Sequence, residues 1–236
     1  MRLQLQGETL DLDPSGALFL PRWAMLVVAD LHLEKGGAFA RRGSLLPPYD
    51  SHATLERLET LVGRLRPDTV ISLGDGFHDH HGAAGLSPDL YDRLSALTRS
   101  RRWVWITGNH DPAIPLALGG AAVPELAVGG LVLRHAPAGE AGEITGHLHP
   151  KARLSTRRRH LSCRCFAADR DRLLLPALGS LTGGLNVLDP AIHRLFPTGF
   201  HAYLCGGERV HRFPHHVLAA EPEALRRNAL GPTPWR

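Results

Sequence analysis

Four apolar runs in this chain stop abruptly at residues able to hold a cation. Val70-Ile71-Ser72-Leu73 gives way to Gly74-Asp75, and Met25-Leu26-Val27-Val28-Ala29 to Asp30-Leu31-His32. Trp103-Val104-Trp105-Ile106-Thr107 runs into Gly108-Asn109-His110-Asp111, and Glu143-Ile144-Thr145 into Gly146-His147-Leu148-His149. A carboxylate at the carboxyl end of a buried strand suits metal binding, because the strand fixes its backbone while the loop leaves its oxygens free. If the strands lie side by side, their polar ends meet, and Asp75 reads as the group that bridges two metal ions. His147 and His149 read as alternate residues of a strand, sharing one face and serving neighbouring ions. Taken singly, each cluster is also what an ordinary turn looks like. The ordered set, with a lone His135 before the last cluster, carries the argument.

Those strands need a framework, and the chain has the means to build one. Its 236 residues, 43% of them apolar, suit one globular domain with a sizeable core. We expect that domain over 1–216 and a loosely held, Pro- and Arg-rich tail over 217–236, with at most one short helix near 223–229. Fifteen histidines stand out more than the modest formal charge of +4. The odd count of three cysteines fits a reducing compartment better than a disulfide framework. Neither a leader nor an apolar run near the ~20 residues of a membrane span is visible, so a cytoplasmic protein without membrane association is expected.

Leu3, Leu5, Leu10 and Leu12 alternate with polar residues as in a hairpin, and Asp13-Pro14-Ser15-Gly16 is a turn signal. A short basic segment over 36–43 precedes Pro47-Pro48. Leu55, Leu58, Leu61, Val62 and Leu65 then recur at helical spacing until Pro67. Residues 76–86 read as a loop, and Ser87-Pro88 as the start of a helix with Leu90, Leu94 and Leu97 on its buried face. Strand and helix alternate as in an α/β fold with parallel central strands. After His110 the rhythm changes to short β-like runs over 126–128, 131–134, 173–175 and 184–187. Glycine pairs at Gly129-Gly130 and Gly206-Gly207 mark hairpins, so this half reads as a mostly antiparallel second sheet.

The order Asp-x-His, Gly-Asp, Gly-Asn-His-Asp, His, Gly-His-x-His resembles the signature of the calcineurin-like metallophosphoesterases, matched from Asp30 to His149. The resemblance implies a four-layer α/β/β/α sandwich. It implies one metal on Asp30, His32 and His149, a second on Asn109, His135 and His147, and Asp75 between them. His110 is then the catalytic histidine and Asp111 the residue that holds its ring. Asp30-Leu31-His32-Leu33-Glu34-Lys35, Gly74-Asp75-Gly76-Phe77-His78-Asp79 and the stretch from Leu175 to Asn186 are similar to the bacterial DNA-ligase-associated subgroup. That implies a DNA phosphodiesterase or endonuclease of a repair system, acting alongside a DNA ligase and a helicase. A role for His78 stays open.

Mixed carboxylate, amide and imidazole ligands without thiolate suit Mn²⁺, Fe or Zn²⁺, and donor softness by itself does not choose among them; two divalent ions are expected, Mn²⁺ ahead of Fe or Zn²⁺. Two divalent ions roughly 3.5–4 Å apart can share a water and stabilise charge on a phosphoryl group. Lys35, Arg41 and Arg42 after the first cluster read as substrate-binding cations, and Lys151, Arg153 and Arg157 to Arg159 after the last as a second basic rim. The arginine run reads equally well as a solvated turn. Cys163 and Cys165 read as core residues, with zinc binding beside His160 as the alternative. A phosphatase or phosphodiesterase for small nucleotides would use the same centre. A non-catalytic repair scaffold would be expected to have lost ligands, and here none is missing.

Overall fold

The computed structural model describes residues 1–43, 49–79, 82–110, 116–155 and 160–221. The chain opens on the expected hairpin, β1 (Arg2–Leu5) and β2 (Glu8–Leu12), turned at Gln6-Gly7, and β3 (Leu18–Leu20) returns after the turn at 13–16. β4 (Met25–Ala29) follows. Then α1 (Lys35–Arg41) and α2 (Asp50–Leu65) lead to β5 (Thr69–Leu73), and α3 (Gly82–Gly85) and α4 (Pro88–Arg99) lead to β6 (Arg102–Ile106). β7 (Ala121–Val123) completes a seven-stranded sheet in the order β1 to β7, parallel from β4 to β7.

The runs that form β4 and β5 are buried on both faces, which is why they read as unbroken apolar stretches. Leu26, Val28, Val70, Trp103 and Trp105 face the helices, meeting Leu55, Leu58 and Leu61 of α2 and Leu90, Leu94 and Leu97 of α4. Val27, Ala29, Ile71, Leu73, Val104 and Ile106 point the other way, into a core shared with a second sheet.

That second sheet is built from β8 (Glu125–Val128), β9 (Leu131–Arg134), β10 (Glu143–Thr145), β11 (Lys151–Ser155), β12 (His160–Ala168), β13 (Arg172–Leu174), β14 (His201–Gly206) and β15 (Arg209–Pro214). α5 (Pro190–His193) lies between β13 and β14. The order is β15-β14-β12-β13-β10-β9-β8, with β11 paired to β12. Most pairs are antiparallel, but β10 runs parallel to both its neighbours, β9 and β13. Its outer face packs Cys165, Ala167, Leu174, Ala202 and Leu204 against Val187, Ile192, Phe196, Phe200 and Leu218. The molecule is therefore the expected α/β/β/α sandwich, in which the outer layer over the second sheet is formed, among the described residues, by the turn of α5 and its connecting segments.

The structure corrects three readings. The loop expected over 76–86 contains α3, a single turn whose Gly82 lies against Phe77, too short and glycine-rich to show a period. The second sheet begins later than His110, because β7 still pairs with β6. Residues 184–187 form no strand; Asn186 makes an isolated bridge to Lys151, and its side chain binds Ala219 O and Leu188 N. The segment from 217 is described through Glu221, and there Ala219 N donates to Arg153 O at 2.8 Å while Glu221 lies 3.7 Å from Arg153. The helix expected near 223–229 lies outside the described residues. No helix among them is long and apolar enough to cross a membrane.

Candidate metal centre

Every cluster picked out by residue type emerges at one edge of the sandwich. Ala29, Leu73 and Ile106 are level across β4, β5 and β6, so the loops carrying Asp30 and His32, Asp75, and Asn109 and His110 leave side by side. Thr145 is level with Arg134 across β10 and β9, which brings His147 and His149 beside His135. The two sheets are stitched together here by residues 175–179. Leu175 N donates to Thr145 O at 2.7 Å, Leu178 N to Ala29 O at 2.8 Å and Gly179 N to Asp30 O at 3.2 Å. The loops after β4 and β5 are also laced, with His32 N on Asp75 O and Leu33 N on Gly76 O, both at 2.9 Å.

Two groups of side chains could each hold a metal ion: Asp30, His32 and His149, and Asp75, His135 and His147. In the first, His32 Nε2 and His149 Nε2 are 3.2 Å apart, and Asp30 Oδ1 is 3.5 Å from His149 Nε2. In the second, His135 Nε2 is 3.0 Å from His147 Nδ1, 3.4 Å from Asp75 Oδ2 and 2.9 Å from Asn109 Oδ1. Asp75 Oδ2 also lies 3.8 Å from His32 Nε2, so one carboxylate oxygen touches both groups. Each carboxylate divides its labour. Asp30 Oδ2 accepts from His147 N at 2.9 Å and Asp75 Oδ1 from His110 N at 3.0 Å, leaving Asp30 Oδ1 and Asp75 Oδ2 turned to the centre.

The donor set fits a cation. Asp30 Oδ1 is buried and has no hydrogen-bond partner among the described residues, a costly arrangement for a carboxylate unless a positive charge answers it. Burial first, then His149, His110, Lys35 and His78, push the His32 pKa down to about 2. Burial and His135 lower that of His147 against the pull of Asp30 and Asp75. Both rings are thus neutral, with lone pairs to offer. Oxygen and imidazole donors without thiolate define the metal class.

Holding these donors strains the backbone. Asp30, His32, Asp75, His147 and His149 all have positive φ, between 44° and 71°. Such left-handed residues cost about 1–2 kcal/mol each away from glycine. The strand expected through Gly146 to His149 therefore does not exist: β10 ends at Thr145, and the two histidines diverge to different groups from a twisted loop. Gly74 has φ +75°, and a Cβ there would overlap the His135 ring. Gly74→Ala is expected to displace that ring and destabilise the fold by about 1–3 kcal/mol, read as a lower Tm and weaker metal uptake by calorimetry. Unchanged uptake would show that His135 yields without consequence.

Most of the other site residues chosen by type can be located. His110 is exposed at the rim, and its Nδ1 donates to His78 O at 2.7 Å. Asp111, expected to hold that ring, lies outside the described residues, as do Arg157 to Arg159 of the second basic rim. His78, left open by the sequence, stacks on His110 at 5.3 Å and on Phe39 at 5.9 Å. Burial, then Lys35 and His110, push its pKa down to about 4. No spacing rule marks it; only the loop after β5 carries it there. Lys35 is half-buried beside the centre, Arg41 is tied to Asp79 at 2.8 Å, and Arg42 is exposed. Cys165 is fully buried and Cys163 half-buried, while His160 Nδ1 lies 2.9 Å from Ser155 Oγ. Among the described residues no cysteine joins a metal-capable group.

A family model for calcineurin-like phosphoesterases matches residues 25–157, more than half of the chain. The structure is similar to the crystal structure of Pseudomonas putida nuclease MPE, with a TM-score of 0.70 and 26% identity, covering 90% of this chain and 99% of that one. It is also matched to Yfce, a phosphoesterase from E. coli, at 14% identity and a TM-score of 0.40, over 80% of this chain and 97% of that one, a likeness too slight to argue from. No curated protein sequence matches the chain.

Proposed function

The chain belongs to the calcineurin-like phosphoesterases, hydrolases of phosphoester bonds that use divalent metals, and from that premise we propose that it is a two-metal phosphodiesterase that cuts DNA. The observation that carries the reading is the position of Asp75 Oδ2, 3.4 Å from His135 Nε2 and 3.8 Å from His32 Nε2, where one oxygen can serve two ions. In this reading Asp30, His32 and His149 hold one ion, Asn109, His135 and His147 the other, and Asp75 both. Likeness to a nuclease over nine-tenths of the chain supports a nucleic acid as substrate, and the sequence resemblance to the DNA-ligase-associated subgroup narrows the proposal to DNA. The resemblance of residues 30–35, 74–79 and 175–186 to the DNA-ligase-associated subgroup extends the proposal to a cytoplasmic repair setting with a ligase and a helicase, and the oxygen and imidazole donors extend it to Mn²⁺ as the metal.

When bound, the ions supply Lewis-acid stabilisation of the phosphoryl oxygens and a water acidic enough to attack at neutral pH. The chain's own residues do the rest. A carbonyl can only accept, so the bond to His78 O fixes the proton on His110 Nδ1 and directs Nε2 toward the centre, 3.9 Å from Asp75 Oδ2. Nε2, when protonated, can give its proton to the departing sugar oxygen. His110 N binds Asp75 Oδ1, so the loop that bears the acid is tied to the loop that bears the bridging carboxylate. Lys35, half-buried and near enough to lower the His32 and His78 pKa values, can contact the phosphate.

The test is cleavage of closed circular single-stranded DNA by the purified chain with Mn²⁺, beside an Asp75→Ala control and a small phosphodiester. A circle offers no end, so its linearisation by the wild type alone would establish an endonuclease. Hydrolysis of the small ester with the circle intact would favour a small-nucleotide phosphodiesterase instead.

A further inference from the structure

Beside His149 the surface opens into a cavity of about 340 Å³ lined by Arg57, Lys151, Arg164, Ser180 and Thr182. Three elements far apart in sequence supply its cations: α2, the first residue of β11, and the middle of β12. Among the described residues no acidic side chain lines it. Elsewhere in the described structure many arginines have carboxylate partners: Arg2 with Asp11, Arg41 with Asp79, Arg64 with Asp13, Arg93 with Glu59 and Arg134 with Glu143. Among the described residues Arg57, Lys151 and Arg164 form no ion pair, although all three are half-buried.

Half-burying like charges together without a counter-charge is unfavourable unless something anionic relieves it. Burial and the nearness of Arg164 already lower the Arg57 pKa, and Lys151 acts on Lys35 in the same sense. The two guanidinium groups are also oriented. Arg57 donates to Leu178 O, and Arg164 to Ala177 O at 3.3 Å, on the segment that stitches the sheets at the metal centre. Among the described residues their remaining side-chain N–H groups meet no acceptor. In the wall formed by Thr182 and Gly183, the backbone N–H groups of both residues have no acceptor among the described residues. Successive free amides beside cations are a recurrent way to hold a phosphate.

We infer that this cavity seats a second phosphate of a polynucleotide, held by Lys151 and Arg164 while the scissile phosphate lies at the metal centre. The inference rests on the nuclease reading above and adds to it a physical reason for preferring a chain of nucleotides to a single ester. A mononucleotide ester has nothing to put there. The volume is at the small end of the range for ligand pockets, enough for one phosphate with part of its sugar.

Two measurements on the full chain test this. Binding of a fluorescein-labelled dT12 is followed by anisotropy without added metal over a salt series, and turnover of circular DNA and of a small phosphodiester is followed with Mn²⁺. Lys151→Ala is expected to weaken dT12 binding about tenfold, the value of one charge-assisted contact. It should also reduce the slope of log K against log salt by about 0.7, one phosphate on a single strand. The DNA-to-ester turnover ratio should fall, and Lys151→Arg should restore both readouts in part. An unchanged slope, or DNA and ester turnover falling by the same factor, would overturn the subsite while leaving the nuclease intact. A wild type that binds dT12 through Lys151 yet never cuts DNA would overturn the nuclease reading and support the subsite.

Discussion

Replacing Asp75 with alanine is expected to abolish hydrolysis and to lower metal content in the same preparation. Its Oδ2 atom stands within 3.4–3.8 Å of imidazoles from both ligand groups, so its removal opens both at once. Its Oδ1 atom accepts from His110 N, so the loop bearing the proposed acid loses its tether as well. Loss of stabilisation worth several kcal/mol corresponds to a fall in turnover on the order of 10³ or more. Metal analysis of the dialysed variant beside the wild type, together with ester hydrolysis, decides the matter. Full occupancy by two metal ions in the variant would remove Asp75 from the bridging role.

His110→Ala should behave differently. Its ring belongs to neither metal-capable group, and its side chain is 40% exposed at the rim. The variant is therefore expected to keep its metal and its thermal stability while turnover drops by about 10²–10⁴, the usual worth of a placed general acid. The loss should be largest for a substrate with a poor leaving group, such as a sugar oxygen, and smaller for an activated aryl ester that departs without a proton. Equal losses on both substrates would argue against proton transfer by His110. Metal loss matching that of Asp75→Ala would mean that His110 holds the centre together and does not act on the substrate.

Much of this was legible in residue types and spacing. The runs of β4, β5 and β6 are apolar because both their faces are buried, and α2 and α4 carry their stripes because only one side packs. Parallel strands launch their loops from one edge, so polar residues after successive runs had to converge. The ion-binding chemistry followed from the same clusters, since acid, amide and imidazole donors without thiolate leave few uses other than holding hard or borderline cations.

Other features depend on contacts between distant parts of the chain. Positive φ at five of the proposed metal ligands is paid for by packing and by hydrogen bonds from other loops, which no local propensity reveals. Which oxygen of Asp30 or Asp75 stays free depends on amides at 147 and 110, far along the sequence. The group that orients His110 is a backbone carbonyl, at His78, and a carbonyl leaves no mark in residue type. Arg57 and Arg164 are unremarkable in their own segments, and they join Lys151 of the expected basic rim in a cationic cavity because 175–179 crosses between the sheets. The sequence by itself determined which donors exist and at which strand ends they stand, because periodicity and residue chemistry are local. The tertiary structure alone decided which atoms face one another, because that is set by contacts between residues tens of positions apart.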